Sequence, residues 1–152
     1  MMKAISETIL FYRVDDPYGE LSNFSKHGFW VDGVRWRTVE HYFQAQKFHD
    51  DELRNTMRNV ISPMEVSNMG RDRRHPLRED WESVKDDVMR FAVLEKFKQN
   101  DNAREVLLAT GNRQLIEHTK NDNYWADGGD GTGNNMLGII LMETRKNLSK
   151  NP

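Results

Sequence analysis

Three clusters of side chains carry the chemistry open to this sequence. The first lies in Thr38–His49, read Thr-Val-Glu-His-Tyr-Phe-Gln-Ala-Gln-Lys-Phe-His. At about 100° per residue, Val39, Tyr42, Phe43 and Gln46 share one arc of a helix, and Glu40, Gln44 and Lys47 share the neighbouring arc. Thr38 is placed to cap that helix. Glu40 then falls in the first turn, where the helix dipole favours a carboxylate. Glu40 and Lys47 stand roughly 10 Å apart along the axis. That spacing suits two parts of one ligand better than a mutual salt bridge. The plainer alternative is an amphipathic helix with a solvated polar face.

The second cluster is Arg71–Arg78, with arginine at 71, 73, 74 and 78. A planar guanidinium fork grips phosphate well, and Gly70 just before it would let the backbone approach an anion. The alternative is a solvated loop. The third cluster is Asp122–Asn134, Asp-Asn-Tyr-Trp-Ala-Asp-Gly-Gly-Asp-Gly-Thr-Gly-Asn. A long glycine-rich loop that feeds a helix N-terminus is a natural ligand clamp. Trp125 can stack there on a planar ring, with Asp127 beside it to hydrogen-bond a base or ribose. Here the alternative is an ordinary Asp/Gly turn. Other templates fail. There is no Walker A lysine, no Rossmann glycine spacing and no HExxH, and the acidic glycine loop has the wrong order for an EF-hand. No metal site is expected, and no nucleophile elbow or Ser/His/Asp order stands out.

These clusters need elements to hold them. Ile9–Val14 has strand composition, and Asp15–Gly19 breaks it with turn chemistry. Phe29–Val31 and Val34–Arg37 flank Asp32-Gly33, a strong hairpin signal. The Thr38 helix follows. Asp50 or Asp51 caps a helix over Asp51–Val60. Ser62-Pro63 starts another that ends near Gly70. Asp80 caps a long helix to about Gln99. Asp101–Ala109 is a short helix stopped by Gly111, and Leu115–Thr119 is ambiguous. Asn134 or Asn135 caps a closing helix to about Leu148, apolar nearly all round and therefore central. Gly138 inside it points to a close backbone neighbour. Residues 1–7 are expected to fray. The fold class expected is mainly α: a compact single-domain helical array with a small N-terminal β-hairpin or strand element.

The chain has 152 residues, enough for one domain with a real core. The domain is expected over 1–152, with its core at about 9–148. A net charge of −2 favours neither nucleic acid nor an anionic membrane. Cysteine is absent, which excludes disulfides and thiolate chemistry and is compatible with a reducing cytosol. With no signal peptide and no long apolar run, no membrane association and a cytoplasmic location are expected.

The motifs also carry a resemblance. Glu40-His41-Tyr42-Phe43-Gln44-Ala45-Gln46-Lys47-Phe48, Met69-Gly70-Arg71, Trp81-Glu82-Ser83-Val84-Lys85, Leu107-Leu108-Ala109-Thr110-Gly111 and Tyr124-Trp125-Ala126-Asp127-Gly128-Gly129 resemble the YbiA-like N-glycosidases, or NADAR family. The likeness runs from about Ile9 to Leu148. Ala126 departs from it, at a position where the family favours glycine. The resemblance implies a mostly helical fold with a small β element. It also implies hydrolysis of the ribose–base N-glycosidic bond, on phosphoribosylamino-pyrimidine intermediates of riboflavin synthesis. Related members remove ADP-ribose from guanine in DNA.

Glu40 matches the family's key glutamate. The implied role is to stabilise charge at the sugar C1 or activate water, with Asp127 assisting at the ribose hydroxyls or the water. Trp125 or Trp81 would stack on the base, and Lys47, Arg71 and Arg78 would hold the 5′-phosphate. Asn23, Gly70, Tyr124, Gly128 and Asn135 complete the expected substrate-binding set. No cofactor is implied. The expected partner is a phosphoribosyl or ADP-ribosyl small molecule, with ADP-ribosylated DNA as an alternative. A non-catalytic ADP-ribose or nucleotide-binding module is the alternative from a different class. The oligomeric state is left open.

Overall fold

The computed structural model describes residues 7–150, so the fraying expected at the N-terminus lies almost wholly outside the described residues. The chain divides into two units, Met1–Ser22 with Asp101–Pro152, and Asn23–Asn100.

In the Asn23–Asn100 unit, strands β2 (Phe29–Val31) and β3 (Val34–Trp36) form an antiparallel hairpin. Its turn is Asp32-Gly33, with φ of 52° and 80°. Positive φ at both central residues is what a two-residue hairpin of this hand requires. Phe29 and Trp36 face each other on the buried side, and Tyr42 packs against both rings.

Helix α1 (Val39–Ala45) follows, capped by Thr38 Oγ1, which accepts from His41 N at 3.1 Å. It packs on α2 (Asp51–Asn59), α3 (Pro63–Arg71) and α4 (Trp81–Gln99). Three neighbours leave it no solvated face: Glu40, His41 and Gln44 are buried along with Val39 and Phe43. The amphipathic alternative is thereby excluded. Asp50 caps α2 through Glu52 N and Leu53 N, and Ser62 caps α3 through Glu65 N with Pro63 in its first turn. Asp80 occupies the expected cap position of α4 but makes no side-chain cap bond. Its carboxylate is held by Arg78 instead.

In the other unit, β1 (Ile9–Phe11) is shorter than the expected Ile9–Val14. It pairs in parallel with β4 (Leu115–Glu117), in the register Ile9↔Leu115 and Phe11↔Glu117. The stretch left ambiguous in the sequence is thus the partner of the first strand. A 3₁₀ turn at Gly19–Leu21 and helix α5 (Asp101–Ala109) pack together. Helix α6 (Met136–Lys150) packs on β4 and α5. The glycine at 138 has the reason expected of it, since a Cβ there would run into the carbonyl oxygen of Leu115. α6 buries Leu137, Ile140, Leu141 and Leu148 but exposes Ile139, so it is apolar all round without being buried all round. No helix among the described residues is long and apolar enough to cross a membrane.

Candidate active site

Glu40 sits in the first turn of α1, and its N–H donates to the Asn23 carbonyl at 3.2 Å. Gln44, one turn on, donates Nε2–H to Glu40 Oε2 at 2.8 Å. The side chain of Ser67, from α3, also hydrogen-bonds Glu40. Arg71 NH1 donates to Ser67 Oγ at 2.9 Å, which orients that hydroxyl. Burial pushes the Glu40 carboxyl above the usual carboxylate range. The bonds from Gln44 and Ser67, and the charges of Lys47 and Arg71, offset only part of that.

Lys47 is half-buried, its Nζ 3.5 Å from the Gly70 carbonyl and 5.8 Å from the Phe43 ring centre. Loss of solvent, then repulsion from Arg73, lowers its pKa to about 8, with Glu40 pulling the other way. Gly70 is buried, and its Cα side meets the Gln44 amide. The glycine therefore serves contact with α1, not the open backbone approach to an anion for which it was singled out. Trp81 is also buried, packed on Phe43 with ring centres 5.1 Å apart. Its place is the core of this unit, which leaves the half-buried Trp125 as the candidate for stacking. Asn23 is half-buried with its amide toward Met89 Sδ.

The arginines do not act as one grip. Arg71 holds Ser67 and Asn68, Arg73 the Gly70 carbonyl, Arg74 Asp72, and Arg78 Asp80. A cavity of about 530 Å³ in this unit is walled by Phe48, Leu53, His75, Pro76 and Leu77. Arg78 is the one predicted site residue that lines it, and Glu40 does not.

Asp127 belongs to the other unit. It is buried, and its Oδ1 accepts from Thr119 N at 3.1 Å and from Gly129 N at 2.8 Å. Oδ2 meets His118 Nδ1 at 2.7 Å. Burial pushes its carboxyl up, but the bonds from His118, Gly129 and Thr119 outweigh it and hold the group below the usual range. A carboxylate only accepts, so His118 carries its proton on Nδ1 and turns Nε2 outward.

Tyr124 and Trp125 stand edge to face at 4.9 Å, and both their N–H groups donate to Asp122 Oδ1. Gly128, at φ 76°, and Gly129, at φ 87°, take the left-handed backbone of the loop. Ala126 is buried and has no positive φ, so alanine fits where glycine was expected. Asn135 spends its amide on β4, accepting from Glu117 N and donating to the Leu115 carbonyl.

Three residues escaped the sequence reading as site members. Gln44 had a signal, since it lies four residues from Glu40 on the same arc. Ser67 and His118 had none, because only packing brings them to their carboxylates. Chemically, Glu40 is a carboxyl that burial makes more basic than an exposed one, with cationic charge from Lys47 and Arg71 close by.

Comparison with known proteins adds the family context. The NADAR domain model matches residues 10–149. The N-glycosidase YbiA of Escherichia coli (strain K12) is 53% identical over 95% of this chain and 91% of its own length. A riboflavin biosynthesis protein of Vibrio vulnificus (strain YJ016) is 40% identical over 96% of this chain, which corresponds to 40% of that longer protein. The NMR structure of E. coli YbiA superposes with a TM-score of 0.89 at 51% identity, covering 97% of this chain and 88% of that one.

Proposed function

The chain belongs to the NADAR domain family, and from that premise we propose that it hydrolyses the N-glycosidic bond of phosphoribosylamino-pyrimidines on the riboflavin pathway. The activity is that of an N-glycosidase, as in the relatives that carry that name, and the pathway is the one in the name of the Vibrio relative. The observation that carries the assignment of roles is Glu40: a buried carboxyl in the family's motif, hydrogen-bonded by Gln44 and Ser67 beside Lys47 and Arg71.

The C1–N bond breaks with its electron pair going to the amine of the base, which takes a proton. Positive charge develops at C1 of the sugar. Glu40 accepts a proton from water as the water oxygen bonds to C1, and ribose 5-phosphate is released. A carboxyl whose pKa lies above the ordinary range is a stronger base for that step than an exposed one. Lys47, Arg71 and Arg78 supply charge for the 5′-phosphate, and this remote binding orients the sugar. In the other unit, Asp127 orients His118.

A product assay tests this. The protein and its Glu40→Ala variant are incubated with a phosphoribosylamino-uracil and, separately, with DNA carrying ADP-ribosyl guanine. Ribose 5-phosphate from the first substrate, abolished in the variant, is the expected outcome. ADP-ribose from the second alone would replace the substrate assignment. Binding of nucleotide without turnover of either substrate would favour a binding module.

A further inference from the structure

Gly70 lies on α3 where that helix meets α1. A Cβ at this position would stand 2.6 Å from Gln44 Cδ and closer still to Oε1. Only glycine leaves the volume that the Gln44 amide fills. Gln44 is 6% exposed, and it uses that volume to aim Nε2–H at Glu40 Oε2, 2.8 Å away. The same placement leaves Gln44 Oε1 with no hydrogen-bond partner among the described residues. A buried acceptor without a donor is costly, so satisfying the amide itself does not account for the arrangement. The bond to Glu40 does.

We propose that Gly70 and Gln44 are positioning residues for Glu40: Gly70 keeps open the space in which the Gln44 amide lies, and Gln44 fixes one oxygen of the Glu40 carboxyl. This rests on the reading of Glu40 as the acting carboxyl. It moves Gly70 from the substrate-binding set to the support of α1. Because the donor favours the charged form of the carboxyl, its loss drives the Glu40 titration further up.

The test is the Glu40 titration midpoint, followed by side-chain carboxyl ¹³C NMR and assigned by its disappearance in Glu40→Gln. It is measured in Gln44→Met, Gln44→Ala, Gly70→Ala and the double variant Gly70→Ala/Gln44→Ala. Gln44→Met and Gly70→Ala are each expected to raise the midpoint by about one pH unit or more. The pH profile of kcat should move the same way while KM changes little. In the Gln44→Ala background, Gly70→Ala should add nothing, because the amide it displaces is gone. Gln44→Met keeps the proposal testable if Gly70→Ala does not fold. A midpoint unmoved by Gln44→Met, or a Gly70→Ala effect undiminished in the Gln44→Ala background, overturns it. The midpoint is read without substrate, so failure of this proposal is distinct from failure of the proposed activity, which Glu40→Ala turnover decides.

Discussion

Glu40 and Asp127 are both buried carboxyls, 8% and 5% exposed, yet their surroundings move their protons in opposite directions. Asp127 accepts two backbone N–H bonds and one from His118. Those donors come with the loop and are already aimed. Glu40 has the Gln44 amide and the Ser67 side chain on an otherwise packed helix. Burial disfavours charge at both sites, and the supply of donors decides the outcome. The contrast separates a carboxyl held in its charged form beside His118 from one whose burial outweighs its donors. It also changes the role first read for Asp127. With three donors on its two oxygens, it is a support for His118 more than a direct partner of ribose.

The largest expected effect bears on the Glu40 side. Glu40→Gln should lower kcat by about 10²–10⁴-fold, the usual worth of a general acid–base group. It should also stabilise the protein at neutral pH. The folded carboxyl titrates above its ordinary value of 4.5. Between those values the folded state keeps a proton that the unfolded state releases, so wild-type stability falls as pH rises through that window. Below 4.5 the variant and the wild type should melt alike. A variant that melts lower than wild type at neutral pH would break the comparison, because Glu40 would then be a stabilising anion like Asp127.

Asp127 predicts the reverse. Its folded pKa is lowered, so its stabilisation is present above the ordinary value of 3.8 and is lost as pH falls through the folded value. Asp127→Ala strands the Thr119 and Gly129 N–H groups and should cost about 1–3 kcal/mol in urea melts at neutral pH. A loss that persists undiminished in strong acid would assign the effect to packing and not to charge. The smallest effect sharpens the Glu40 side. Lys47, with its pKa near 8, should lose phosphate affinity as pH rises through that value, seen as a few-fold rise in KM. Lys47→Arg should remove that alkaline limb, since a guanidinium does not titrate there. An unchanged limb would take Lys47 out of phosphate binding.

Much of the local structure was legible because it rests on neighbours in sequence. Thr38, Asp50 and Ser62 cap helices through bonds to residues two or three positions on, and Asp32-Gly33 turns the hairpin by itself. Gly138 announced a close backbone correctly. The misreadings share one cause. The solvated alternative for α1, Trp81 as a stacking ring and Gly70 as an anion cradle were all judged from the residue and its flanks. Each was decided by a side chain or helix elsewhere in the chain.

The sequence by itself determined the family and most of the helix starts, since motifs and caps are written in short-range spacing. Tertiary structure alone decided that β4 pairs with β1 across the length of the chain, that Gly70 makes room for Gln44, and that Ser67 reaches Glu40. It also decided which carboxyl titrates above its ordinary value and which below. That balance weighs lost solvent against gained donors, and both come from residues that packing, not sequence proximity, brings together.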